Sequence, residues 1–333
     1  QAYPGKDIPF SEDAVIGPRN FANKIWNLTR FVLMNMPKKA PKGGWGLENL
    51  DQTKLDLADR WILAEYQASM ARVHEKMEAY NTAAAADELY GFLWDKFCDW
   101  YVELAKARFE DPEGGETVYA ILVSVLTGTL KMLHPFMPFI TEELYQALKP
   151  YSGESAPYAL AAGEPKLPRD FSDAEAMKEM GFLMAATRGL RALRSQLNVP
   201  PGLKIDTVYE GQGAEGRALL ERYGEYIKSL ARLKSLAPST KGRPAQSATV
   251  VVGGMSFYVP LAGIIDLDKE RKRLAKEIDR LLKDLKRCES QLGNSSFLER
   301  APEAEVAKIR QRKVDFESQQ RVLADTLNSL QGD

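Results

Sequence analysis

The chain has 333 residues, 44% of them hydrophobic and 27% charged, with a formal net charge of −1. That length allows two or three domains with buried cores. The near-zero balance excludes a globally basic nucleic-acid binder, so any such surface must arise from local segregation of charge. Cys98 and Cys288, the only cysteines, stand far apart without metal-ligand spacing. A disulfide framework and a structural zinc site are therefore not expected, and a reducing, cytoplasmic setting is. The longest apolar run, near 120–126, is shorter than a bilayer span, so no membrane partner is expected.

Residues 1–150 read as a helical bundle. Ser11, followed by Glu12 and Asp13, caps a first helix that passes Phe31 and stops before Pro37. Phe21, Ile25, Leu28 and Val32 make its apolar stripe. At about 100° per residue, Asn20, Lys24, Asn27 and Phe31 gather on a different face, with Asn23 and Arg30 beside them. Amides, cations and one aromatic in that pattern suit stacking on an unpaired base and bonding to its edge. They equally suit an ordinary bundle helix whose polar side meets water and whose Phe31 packs on a neighbour. A Pro/Gly/Lys loop spans 37–46, and Asp56 opens a second helix toward Tyr80. A third, from Ala83 to Leu104, carries aromatics nearly all round, as a central buried helix does. Val118 to Leu133 is a fourth, ended at His134-Pro135-Phe136-Met137-Pro138. Thr141, with Glu142 and Glu143, is expected to cap a fifth.

Residues 151–172, rich in Pro, Gly, Ser and Ala, read as a linker. Residues 173–262 change character and read as a small α/β domain. A helix from Asp173 to Leu197 stops at Asn198-Val199-Pro200-Pro201-Gly202. Leu203–Glu210 is a strand, Ala214–Ala231 a helix, and Ala248–Val252 with Met255–Pro260 a hairpin closed by Gly253-Gly254. Arg188, Arg191 and Arg194 form a row assigned to surface or intramolecular pairing.

Residues 263–333 are the clearest. Leu267, Arg271, Leu274, Ile278, Leu281, Leu285, Cys288 and Leu292 advance in steps of four and three, as do Val306, Ile309, Lys313, Phe316, Gln320, Leu323, Leu327 and Leu330. With only Gly293-Asn294-Ser295-Ser296 and Ala301-Pro302 between the seams, an antiparallel coiled-coil hairpin follows, each arm roughly 38 Å long at about 1.5 Å per residue. Lys272, Lys276, Arg280, Lys283 and Arg287 line one face away from the seam. Glu270, Glu277 and Asp284 flank it, placed to pair with the other arm. A row of cations on a rod suits a sugar-phosphate backbone, and also suits a solvated helix face. The fold class is thus mainly α: helical bundle, small α/β domain and terminal hairpin. His74 and His134 lack nucleophile or carboxylate partners at dyad spacing, and no phosphate-binding glycine loop occurs. No catalytic and no metal-ligating residue is assigned.

Asn20-Phe21-Ala22-Asn23-Lys24-Ile25-Trp26-Asn27, Asp59-Arg60-Trp61-Ile62-Leu63, Trp94-Asp95-Lys96-Phe97-Cys98-Asp99-Trp100-Tyr101 and His134-Pro135-Phe136-Met137-Pro138-Phe139-Ile140-Thr141-Glu142-Glu143 together resemble the anticodon-binding helical domain of class I valyl-, isoleucyl- and leucyl-tRNA synthetases. The hairpin, with Phe297 through Ala301-Pro302-Glu303 between its arms, resembles the tRNA-binding arm of the valyl members. Gly5-Lys6-Asp7-Ile8 is similar to the segment shortly after the family's Lys-Met-Ser-Lys-Ser loop. That loop, the His-Ile-Gly-His motif and the editing domain are not in this sequence. It begins at Gln1 without Met and is expected to be a piece of a longer protein.

The resemblance implies an intact enzyme that activates valine with ATP-Mg and esterifies it to tRNA(Val). This stretch would hold the tRNA, need no cofactor and act as a monomer. Lys24 and Phe31 match positions that meet anticodon bases, Phe31 by stacking; Asn20, Asn23, Asn27 and Arg30 join them by their shared face. The row Lys272, Lys276, Arg280, Lys283 and Arg287 would lie on the tRNA elbow. Isoleucyl members share the helical motifs, but many end in a zinc-bearing Cys-rich module that two cysteines cannot build. Leucyl members typically lack the long hairpin. A reading from another class is a coiled-coil module that binds proteins.

Overall fold

Phe21, Ile25, Leu28 and Val32 are all buried along α1 (Glu12–Asn35), as their spacing requires. The computed structural model describes residues 12–109, 111, 114–211, 213–261, 263–264, 267–294 and 303–331. The expected Ser11 cap, the Gly5–Ile8 segment and the 297–302 turn residues lie outside them. Two compact units, Gln1–Gly181 and Phe182–Asp333, make up the chain.

In the first unit, α2 (Leu57–Glu78) opens with a full capping box. The Asp56 carboxylate accepts from Leu57 N at 2.7 Å, and Asp59 accepts from Asp56 N at 3.0 Å. Asp59 is buried, held by Arg108 at 2.6 Å and by the Tyr101 hydroxyl at 2.9 Å. The expected third helix is three pieces: α3 (Thr82–Gly91), a π-helical stretch Phe92–Tyr101, and α4 (Val102–Ala105). Phe92, Leu93, Phe97, Trp100 and Tyr101 in that stretch are buried, and the wider i→i+5 coil seats these large side chains in the core. The core helix α5 (Gly115–Leu133) is the one described helix long and apolar enough to cross a membrane, and 78% of its apolar window is buried inside the protein.

A correction follows for the next helix. α6 runs from Pro138 to Ser152, with Pro138 in the first turn where its missing N–H costs nothing. Thr141 does not cap it. Its hydroxyl donates back to Met137 O at 2.8 Å from inside the first turn, and lies 2.9 Å from His134 Nδ1. At the far end, Gly153 (φ 69°) meets Gly44 (φ 82°) backbone to backbone, so a Cβ on either would collide with the other loop.

Residues 151–172 are a strap fastened to the bundle. Ala159 N donates to Glu142 at 2.9 Å, Phe171 N donates to Gln67 at 2.7 Å, and Arg169 donates to Leu50 O at 2.8 Å. Lys131 pairs with Glu154 at 2.8 Å. The division between units falls later, inside α7 (Ala174–Gln196).

The second unit holds a four-stranded mixed sheet in the order β2-β1-β4-β3. β1 (Ile205–Gly211) and β2 (Leu233–Pro238) are parallel and joined by α8 (Ala214–Ala231), a βαβ unit. β3 (Ser247–Val252) and β4 (Met255–Pro260) form the hairpin read from the sequence. Gly253 (φ 56°) and Gly254 (φ 77°) supply the two positive φ values its tight turn demands. Phe182 on α7 lies 6.5 Å, centroid to centroid, from Phe257 of β4. Strand β2 was not expected; it is short, ends in Pro238 and pairs on one side only.

α9 (Leu267–Leu292) and α10 (Glu303–Gln331) pack along the expected seams, with Leu274, Leu281, Leu285, Cys288, Val306 and Ile309 buried. Among the described residues, the flanking acids Glu277 and Asp284 pair within their own helix and not across the arms as expected; the Glu270 side chain lies outside the described residues. Glu277 pairs with Arg273 at 2.8 Å and Asp284 with Arg287 at 3.3 Å, each within α9. Short i+3 and i+4 reaches on one helix outcompete the longer span between helices. Lys313 and Glu289, 3.2 Å apart, make a bridge between the arms.

Candidate nucleic-acid interface

The polar face of α1 is set by exclusion: its apolar stripe enters the core, which turns Asn20, Asn23, Asn27 and Arg30 to solvent. Those four side chains make no hydrogen bond or ion pair to any other described residue, and their donors and acceptors are open to a ligand.

Lys24 and Phe31 are half-buried and engaged. Lys24 Nζ lies 2.9 Å from Asp99 and 4.8 Å from the Trp94 ring centroid, both on the π-helical stretch. Burial works against its charge, but the Asp99 carboxylate outweighs it and holds the ammonium above its ordinary pKa. The Phe31 ring packs at 5.7 Å on Phe109, which stacks in turn on Tyr119, and the Lys106 ammonium sits 5.3 Å from its centroid. Phe31 is thus partly covered by Phe109 and Lys106, and a base would stack on the part of the ring that its intermediate burial leaves open.

Two exposed side chains of α1 were missed by the sequence reading. Trp26 is 46% exposed and Met34 is 72% exposed. A signal existed: at about 100° per residue both fall off the core stripe, Met34 beside Asn23 and Asn27, and Trp26 on the far flank, nearest Arg30. An exposed tryptophan is a second stacking surface.

On α9, Lys272, Lys276, Arg280, Lys283 and Arg287 are all exposed. Lys272, Lys276 and Arg280 form no ion pair among the described residues. Lys283 is paired with Asp279 at 2.7 Å and Arg287 with Asp284. Arg310 and Arg312 add two exposed cations on α10 that the reading of one arm overlooked. Arg191 stays exposed and Arg194 is buried, and both pair within the chain. Arg191 donates to Leu230 O at 2.9 Å, and Arg194 donates to Leu203 O at 2.8 Å.

Burial pushes the Cys98 thiol up to about 12, so it is no nucleophile at neutral pH. Among the described residues no three His, Cys, Asp or Glu side chains gather to hold a metal ion.

Comparison with known proteins agrees with this geometry. Residues 59–209 match the family of anticodon-binding domains of tRNA ligases, and residues 266–331 match the valyl tRNA synthetase tRNA binding arm. The valine–tRNA ligase of Carboxydothermus hydrogenoformans is 40% identical over 328 residues, covering 98% of this chain and 36% of that protein. Those of Geobacter sulfurreducens and Bacillus subtilis are 41% and 34% identical, each over 333 residues. The chain spans little more than a third of the length of these relatives, 36% and 37% for the last two.

Proposed function

The chain belongs to the valyl-tRNA synthetase family, and from that premise we propose that it is the part of a valine–tRNA ligase that grips tRNA(Val). The α1 face takes the anticodon: Phe31 stacks on a base, while Lys24, Asn20, Asn23, Asn27 and Arg30 bond to base edges and nearby phosphates. The row from Lys272 to Arg287 takes the phosphates of the elbow. The whole ligase, acting as a cytoplasmic monomer, attaches valine with ATP-Mg in domains other than those described here. This stretch supplies affinity and identity, not chemistry.

One observation carries the reading: an anticodon-binding domain and a valyl-type arm follow each other on a single chain. The open amides of α1, which precedes the matched span 59–209, and the exposed cations of α9, within the matched arm, support this reading. The test is a gel-shift panel of unmodified tRNA transcripts bearing valine, isoleucine and leucine anticodons, repeated across salt. Tightest binding to the valine transcript, falling steeply with salt, is expected. Equal affinity for all three, or binding indifferent to salt, overturns it; indifference to salt fits the protein-binding coiled coil instead.

A further inference from the structure

Where α7 and α8 end, the second unit holds an open cavity of about 530 Å³ lined by Arg191, Arg194 and Arg232, with Ser195 and Asn198. No carboxylate lines it among the described residues. Three guanidinium groups converge there, and burial together with the neighbouring Arg232 holds Arg194 below its ordinary pKa.

Much of this charge does structural work. Arg194, only 8% exposed, donates to the carbonyls of Arg232, Pro200 and Leu203 at 3.2, 3.2 and 2.8 Å. Arg232 differs. It caps α8 in the left-handed region (φ 54°, ψ 53°), where glycine is the unstrained choice. Its exposed side chain uses one N–H, to Pro201 O at 2.8 Å, of the five a guanidinium carries. Asn198, also lining the cavity, has φ 50°. Strained backbone thus presents a cation and an amide to one concave, acid-free surface, an arrangement suited to an anion.

We infer that this cavity binds a backbone phosphate of the RNA, a contact separate from the α1 face and the α9 row. The inference rests on the tRNA reading above and adds a site to it. Arg232 supplies the displaceable fork and Arg194 the fixed buried charge; Ser195 and Asn198 add neutral polar contacts.

The test uses this chain with Arg232→Gly, which relieves the left-handed strain while removing the guanidinium. Affinity for full-length tRNA should fall about sixfold at 0.1 M salt, with a salt slope shallower by about 0.8, the loss of one phosphate contact. Arg232→Lys should keep the slope, and anticodon stem-loop binding should not change. A purely structural role predicts a lower melting temperature with the slope intact, and that result overturns the inference. So does an equal loss for tRNA and stem-loop. A site for free phosphate predicts unchanged tRNA affinity, with inorganic phosphate raising the melting temperature of the parent chain only; that also overturns it. A parent chain that binds no tRNA would sink the proposed function instead, which separates the two failures.

Discussion

Replacing Phe31 by alanine removes a ring that has two jobs, so its effect on folding and on binding must be separated. A fully buried Phe→Ala change costs about 3–5 kcal/mol. Phe31 is half-buried, with one side on Phe109, so about half of that, roughly 1.5–2.5 kcal/mol, is expected in fold stability. On the proposed reading the part of the ring left open would carry the stacking energy, about 1–3 kcal/mol per base, or roughly five- to 150-fold in affinity. Phe31→Leu divides the two: it refills the space against Phe109 at a cost below about 1.5 kcal/mol yet offers no π face. The assay is fluorescence anisotropy with a labelled anticodon stem-loop, on variants whose folded fraction is known from urea unfolding. Phe31→Leu should lose nearly as much affinity as Phe31→Ala while unfolding close to the parent. If it is folded and binds like the parent, while Trp26→Ala loses affinity, the stacking surface is the 46%-exposed indole and the assignment to Phe31 is wrong.

Changing Lys276, Arg280 and Lys283 together to glutamine should weaken full-length tRNA binding and flatten its salt slope by up to about 2–2.7, three phosphate contacts' worth, while sparing the stem-loop. Equal losses on both RNAs would remove the row from the elbow. Asp99→Asn frees Lys24 from its 2.9 Å partner and should raise stem-loop affinity and steepen its salt dependence; a null result with Lys24→Ala still harmful would mean that Lys24 acts without leaving Asp99. Glu88 is partly buried, which alone would raise its pKa, but Arg72, Ser69 and Lys76 hold it lower overall. Its pairing therefore stabilises the bundle fully above about pH 4.5 and is lost as pH falls through the lowered value. Thermal melts below that pH should fall more steeply for the parent than for Glu88→Gln; parallel curves would contradict the sign. Pyrophosphate exchange with valine should be absent from this chain, and clear activity would refute its non-catalytic role.

Local signals were legible and tertiary ones were not. The α1 stripe, the Asp56 cap, the exact ends of α8 and the Gly-Gly hairpin turn each depend on residues within a few positions of one another. The π-helical stretch was invisible because its sequence is an ordinary aromatic helix pattern; packing of Phe92, Phe97 and Trp100 in the core selects the wider coil. Strand β2 continues directly from the left-handed cap at Arg232, and nothing in Leu-Lys-Ser-Leu-Ala-Pro alternates strongly enough to announce it. The strap at 151–172 has a linker's composition, yet two of its backbone N–H groups find partners on α6 and α2, and its Arg169 side chain donates to Leu50 O. At the candidate site, the polar face was readable from angle alone, whereas the partner of Lys24 lies 75 residues away.

If the proposed function holds, that partner bears on how a chain of net charge −1 would select one RNA. Lys24, Lys283 and Arg287 each hold a carboxylate in the free protein, so a phosphate gains from them only by displacing it. Exposed pairs of this kind are worth about 0–1 kcal/mol, small enough to exchange but large enough to subtract from every loosely fitting polyanion. An RNA that also stacks on Phe31 and satisfies the open amides of Asn20, Asn23 and Asn27 recovers more than the exchange costs. One that offers phosphates alone does not. On the proposed reading, pre-paired cations would convert a charge-based attraction into a requirement for shape and unpaired bases, which is specificity obtained by penalising the wrong partner as much as by rewarding the right one.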